Sequence, residues 1–137
     1  MTELFITTHK KEELARFLEL HHFDVEAVES NIYRIQRDDE LPVFVHSDGD
    51  HLYYEVDLGN ISQIANKEQL YYELLALNTE ILPVSFAINN SNPDDPRLVL
   101  VESRETCNLD DNEILSVFDA LELAADRAAQ VLLKYTN

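Results

Sequence analysis

The chain has 137 residues, 45% of them hydrophobic, with 27 acidic side chains against 10 basic ones and a formal charge of -17. That length and apolar share suit one folded domain with a single core and argue against disorder despite the charge. The acidic excess works against direct binding to DNA, RNA or an anionic membrane, because a phosphate surface would meet a like-signed field with no basic stripe to offset it.

The first periodic segment starts at Thr8, a candidate cap. Leu14, Phe17, Leu18 and His21 follow at i, i+3, i+4 and i+7, the spacing of one helical face, so a short amphipathic helix is expected through His21. Phe23 to Glu29 and Ile32 to Gln36 read as two strands around Ser30 and Asn31. A second hairpin is better specified. Leu41 to His46 and His51 to Leu58 flank Asp48-Gly49, a dipeptide suited to a two-residue type I′ turn. Such a turn sets His46 opposite His51, Phe44 opposite Tyr53, Pro42 opposite Glu55 and Leu41 opposite Val56. One face then carries Leu41, Val43, Val45, Leu52, Tyr54 and Val56, and is expected to be core. The other carries Pro42, Phe44, His46, His51, Tyr53 and Glu55.

A helix is expected from Lys67 to Leu82, with Leu70, Leu74, Leu77 and Ile81 in one stripe and Pro83 ending it. Val84, Phe86 and Ile88 alternate with Ser85 and Ala87 as a strand. The Asn, Ser, Pro and Asp cluster of Asn89 to Pro96 reads as a hairpin loop leading to a second arm, Arg97 to Ser103. Asp110 with Glu113 three residues on has capping-box spacing. From there Ile114, Val117, Phe118, Leu121, Ala125, Ala128, Leu132 and Tyr135 keep helical spacing to the end of the chain. The order αββββαββα, with hairpins in series, implies an α+β fold: one antiparallel sheet with helices packed on one face, in a single domain.

Chemistry-bearing motifs are sparse. Gly49 and Gly59 are the only glycines, so no phosphate-cradling glycine loop or GxSxG nucleophile turn can be written. Cys107 is the only cysteine, which excludes an internal disulfide and fits a cytoplasmic protein. It precedes a helix start, a place that suits an inert loop thiol as well as a reactive one. No run approaches the roughly 18 apolar residues of a membrane span. The candidate metal ligands are His46 and His51, whose expected opposition would bring their Cβ atoms to about 5 Å. A zinc site needs three or four ligands, and the aspartates of a tight turn point away, which favours two solvated histidines. Acidic pairs such as Asp38 with Asp39 and Asp94 with Asp95 fall in loops, where solvation explains them.

The element order, together with ELLALN at Glu73 to Asn78 and the closing segment Asn108 to Leu133, resembles the type III secretion chaperone-like fold. Within it, LLALNTEILPVSFAI (Leu74 to Ile88) followed by RLVLVES is similar to an uncharacterised bacterial family typified by YjfI. The resemblance implies a fold and a manner of holding a client segment; it carries over no catalytic residue.

Together these readings point to a non-enzymatic protein-binding module, expected as a homodimer, without a cofactor, without direct nucleic-acid binding and without membrane insertion. Its partner would be a protein with basic or apolar segments. The candidate contact residues are Pro42, Phe44 and Tyr53 on the sheet, with Glu55 and Asp57 as steering charges at the rim. Two other classes fit less: a metal-dependent sensor or enzyme using His46 and His51, and an acidic DNA mimic, which would need carboxylates at phosphate-like spacing along one face.

Overall fold

The computed structural model describes residues 5–7, 11–48, 50–105 and 110–136. Thr8, Gly49 and Cys107, all singled out above, lie outside the described residues. The order is β1 (Phe5–Thr7), β2 (Lys11–Glu13), α1 (Leu14–Leu20), β3 (Asp24–Glu29), β4 (Ile32–Gln36), β5 (Val43–Ser47), β6 (His51–Asn60), α2 (Lys67–Leu77), β7 (Ser85–Asn89), β8 (Arg97–Glu105) and α3 (Asp111–Leu132). β1 and β2 form a two-stranded antiparallel ribbon. The other strands form one sheet in the order β3-β4-β5-β6-β8-β7, every neighbouring pair antiparallel.

The expected α+β sheet with helices on one face is present. Two N-terminal strands precede it that the sequence reading did not contain. The first helix is correspondingly shorter, because Lys11–Glu13 pair as a strand with Phe5–Thr7 and leave the helix to begin at Leu14. Leu14, Phe17 and Leu18 are buried as their spacing requires, whereas His21 follows the helix and is exposed.

The alternating strand positions do the rest. Ile35, Val43, Val45, Leu52, Tyr54, Val56, Leu98 and Leu100 point to one face and meet Leu70 and Leu74 of α2 and Ile114, Val117, Phe118 and Leu121 of α3 in a single core cluster. Phe118 sits at its centre, with its ring 4.8 Å from Phe23 and edge-on to Tyr54 at 5.7 Å. Ala124 and Ala128 are buried on the same helix, where their small side chains let α3 lie close to its neighbours. Asp110 caps α3 as its spacing with Glu113 suggests: its Oδ1 accepts from the Glu113 N–H at 2.8 Å.

The middle helix stops at Leu77, five residues before the expected end. Asn78 accepts the Phe86 N–H at 2.7 Å through its Oδ1, and Thr79 and Glu80 donate to Ala76 and Leu77, so the chain leaves the helix through tight turns and is held to the start of β7. Ile81 and Val84 are buried all the same.

The second hairpin departs from its expected register and extent. The ladder pairs Phe44 with Glu55, Val45 with Tyr54, His46 with Tyr53 and Ser47 with Leu52, and the Asp48 N–H donates to the His51 carbonyl at 3.0 Å. The pairing is thus displaced by two residues from that expected. Because two is even, each side chain keeps its face. Leu41, expected in the core opposite Val56, precedes β5 and is 46% exposed.

Candidate functional site

The outer face of the sheet, opposite the helices, carries two adjoining regions. In one ladder row Glu26, Arg34, Phe44, Glu55, Val101 and Ser85 lie side by side across all six strands. In the next, Ile32, His46, Tyr53 and Ser103 do so. Phe44 is half-buried and Tyr53 is 43% exposed. The two aromatics expected to oppose one another are diagonal neighbours in the ladder. Pro42 is half-buried just before β5.

The histidines are not opposed. Both flank Tyr53, whose ring centroid is 6.3 Å from that of His46 and 5.9 Å from that of His51. The two-residue displacement that separates them places an aromatic ring where the metal reading needed an imidazole. No group of three or more His, Cys, Asp or Glu side chains among the described residues could hold a metal ion.

Toward β7 the same face is closed by polar side chains. Asn89 Nδ2 donates to both Glu55 carboxylate oxygens at 3.3 Å, reaching across β8, and Arg97 Nε donates to Asp57 at 3.1 Å. Val99, between Asp57 and Ala87 in the ladder, is buried although it faces away from the helices. Glu55 and Asp57, expected to steer a partner, are therefore already engaged in holding the sheet's outer surface. Asp95 joins them through Asn60 and Arg97, and these bonds hold its carboxyl below the usual range.

A groove of about 480 Å³ opens beside the start of β7. β7 starts at Ser85 opposite Val101, whereas β8 runs on to Glu105, so among the described residues no strand flanks Glu102–Glu105 on that side. Tyr53 and Glu55 line the groove from the outer face, Tyr54, Glu102 and Arg104 from the inner face, and Pro83 and Ser85 close its end.

The inner side of the groove is chemically unusual. Glu102 pairs with Tyr54 across the ladder, in phase with Leu98 and Leu100, and its side chain is only 3% exposed. Arg104 Nη2 stands 2.9 Å from Glu102 Oε1, an ion pair without hydrogen-bond alignment. Both Glu102 oxygens, the Tyr54 hydroxyl and Arg104 Nε are buried with no hydrogen-bond partner among the described residues. Burial raises the Glu102 carboxyl above the ordinary range against the pull of Arg104, and it raises the Tyr54 phenol, with Glu102 adding to the effect. The sequence reading missed this cluster. The signal was a carboxylate at i+4 from Leu98 and i+2 from Leu100, on the strand positions that face the core.

With this geometry in view, the sequence matches the CesT_Tir_1 family, a type III secretion chaperone family, over residues 7–137. The chain belongs to that family. A search of curated proteins gave no match. Among solved structures it is similar to a chain of the heterodimeric ExoU–SpcU complex from the type III secretion system of Pseudomonas aeruginosa, with a TM-score of 0.69 and 16% identity over 86% of this chain and 96% of that one. It is also similar to YbjN of E. coli, with a TM-score of 0.62 and 14% identity over 88% of this chain and 87% of the other. At these identities the likeness is one of fold. The family supports a chaperone-like, protein-binding role. No helix among the described residues is long and apolar enough to cross a membrane.

Proposed function

We propose that the protein is a non-enzymatic, chaperone-like module that holds a segment of a protein partner on the outer face of its sheet, around Phe44 and Tyr53. The observation that carries this reading is the exposure of Tyr53 on a face that the described helices leave uncovered, beside half-buried Phe44 and the end of the Pro42 segment. An aromatic ring in that setting offers a large contact area at little cost in side-chain entropy. The membership in a secretion chaperone family and the likeness to a chain of a heterodimeric secretion complex support the same role. Glu55 and Asp57 act at the rim, where their bonds to Asn89 and Arg97 keep them in place.

A homodimer in the cytoplasm is the assembly and compartment this reading expects. The finer kinship with the YjfI-like family rests on Leu74 to Ile88 and the arm that follows. Crosslinking and pull-down from the source cell with the wild-type chain and with a Phe44→Ala, Tyr53→Ala double variant test the site. The partner captured by wild type is expected to be lost from the double variant while its circular dichroism is unchanged. Undiminished capture would overturn the placement on this face.

A further inference from the structure

We propose that the groove beside the start of β7 receives a cationic side chain, lysine or arginine, from a partner polypeptide lying along the open edge of β8, with Glu102 as counter-ion and the Tyr54 hydroxyl as a second acceptor. The inference deepens the protein-binding reading and rests on it; the groove adjoins the face proposed above, with Tyr53 on the border of both.

Three observations meet there. Glu102 and Tyr54 are buried, line the groove, and have acceptor capacity unused among the described residues. A buried carboxylate without its full set of hydrogen bonds is costly, and an arriving cation recovers part of that cost. Secondly, the groove's lining is negative: Glu55 and Glu102 outweigh Arg104, within a chain of net charge -17. Thirdly, Glu102–Glu105 lie beyond the first residue of β7, Ser85, so an extended segment can run beside them and deliver its side chain to the inner face. Val101 and Pro83 offer apolar surface to the stem of a lysine or arginine, which keeps its charged head for the polar end.

The test uses the full chain and two capped hexapeptides of alternating Val and Thr, one with a central arginine and one with citrulline, its uncharged analogue. Binding is followed by the backbone amide signals of Ser103 and Arg104. The arginine peptide is expected to bind about ten-fold or more tightly than the citrulline peptide, as a charge-assisted hydrogen bond implies. In Glu102→Gln, which keeps the shape and removes the charge, the preference is expected to fall to about one. Equal binding of the two peptides to wild type, an undiminished preference in Glu102→Gln, or no binding of either peptide would each overturn the proposal. None of these outcomes touches partner capture by the Phe44 and Tyr53 face, whose own experiment stands separately.

Discussion

Arg37 and Glu122, 85 positions apart in sequence, are joined by two hydrogen bonds of 2.6 and 3.1 Å that fasten the turn after β4 to the middle of α3. The same guanidinium reaches Asp119 at 2.8 Å and lies 4.7 Å from the centroid of the Phe23 ring. These partners raise its pKa, so it stays charged at any pH that keeps the fold. The arrangement is a planar fork on a carboxylate combined with stacking on an aromatic face, which a lysine cannot reproduce. Arg37→Ala is expected to lower the unfolding free energy by about 1–2 kcal/mol, between the values for exposed ion pairs and for hydrogen bonds to charged groups. Arg37→Lys should recover less than half. Urea unfolding of the three proteins decides it, and a lysine variant equal to wild type would show that charge alone suffices.

Phe118 of α3 packs its ring against Phe23, in the connection between α1 and β3, and against Tyr54 of β6. It is 2% exposed. Phe118→Ala removes both ring contacts and leaves a void, for a cost of about 3–5 kcal/mol. Phe118→Leu is expected to lose less, since most of the volume remains. A shift in the urea midpoint smaller for alanine than for leucine would contradict this account of the core.

Faces were more legible in the sequence than pairings. The period of two in LPVFVHSDGDHLYYEVDL put Val43, Val45, Leu52, Tyr54 and Val56 inward, and an even displacement of the ladder left that assignment intact. The register itself depended on which residues formed the turn. Asp48-Gly49 pointed to one answer, and the bond between the Asp48 N–H and the His51 carbonyl belongs to another. The histidine pairing failed with it. Helix ends were legible where a side chain caps, as at Asp110, and not where tertiary bonds end the helix, as Asn78 does by holding Phe86. The groove depends on β8 outrunning β7, a difference in strand length that no local pattern encodes.

Asp110 caps α3 through a single side-chain acceptor at 2.8 Å from the Glu113 N–H. Asp110→Ala leaves that donor unpaired in the protein and is expected to cost about 1 kcal/mol, while Asp110→Asn, which keeps an acceptor oxygen, should cost little. Thermal unfolding measured on both variants separates the cap from the charge. If asparagine is as damaging as alanine, the helix dipole and not the hydrogen bond is the main contribution.

Glu102 gives a pH dependence of opposite sign to that of most carboxylates. Burial holds its folded-state carboxyl above the ordinary range, so between the unfolded and folded values the native chain keeps a proton that the unfolded chain has released. Its contribution to stability is therefore fullest below the ordinary carboxylate pKa and declines as pH rises through the folded value. Asp95 behaves in the usual way, with a depressed carboxyl whose contribution is lost as pH falls through its folded value. Glu102→Gln removes the buried charge, and Arg104, 30% exposed, can turn to solvent. The variant is expected to be more stable than wild type at pH 7, by on the order of 1 kcal/mol, with the difference vanishing as the pH is lowered toward the range where Glu102 is protonated. Urea midpoints across that range test the sign. A variant less stable than wild type at pH 7 would mean that the pairing with Arg104 outweighs the desolvation of Glu102.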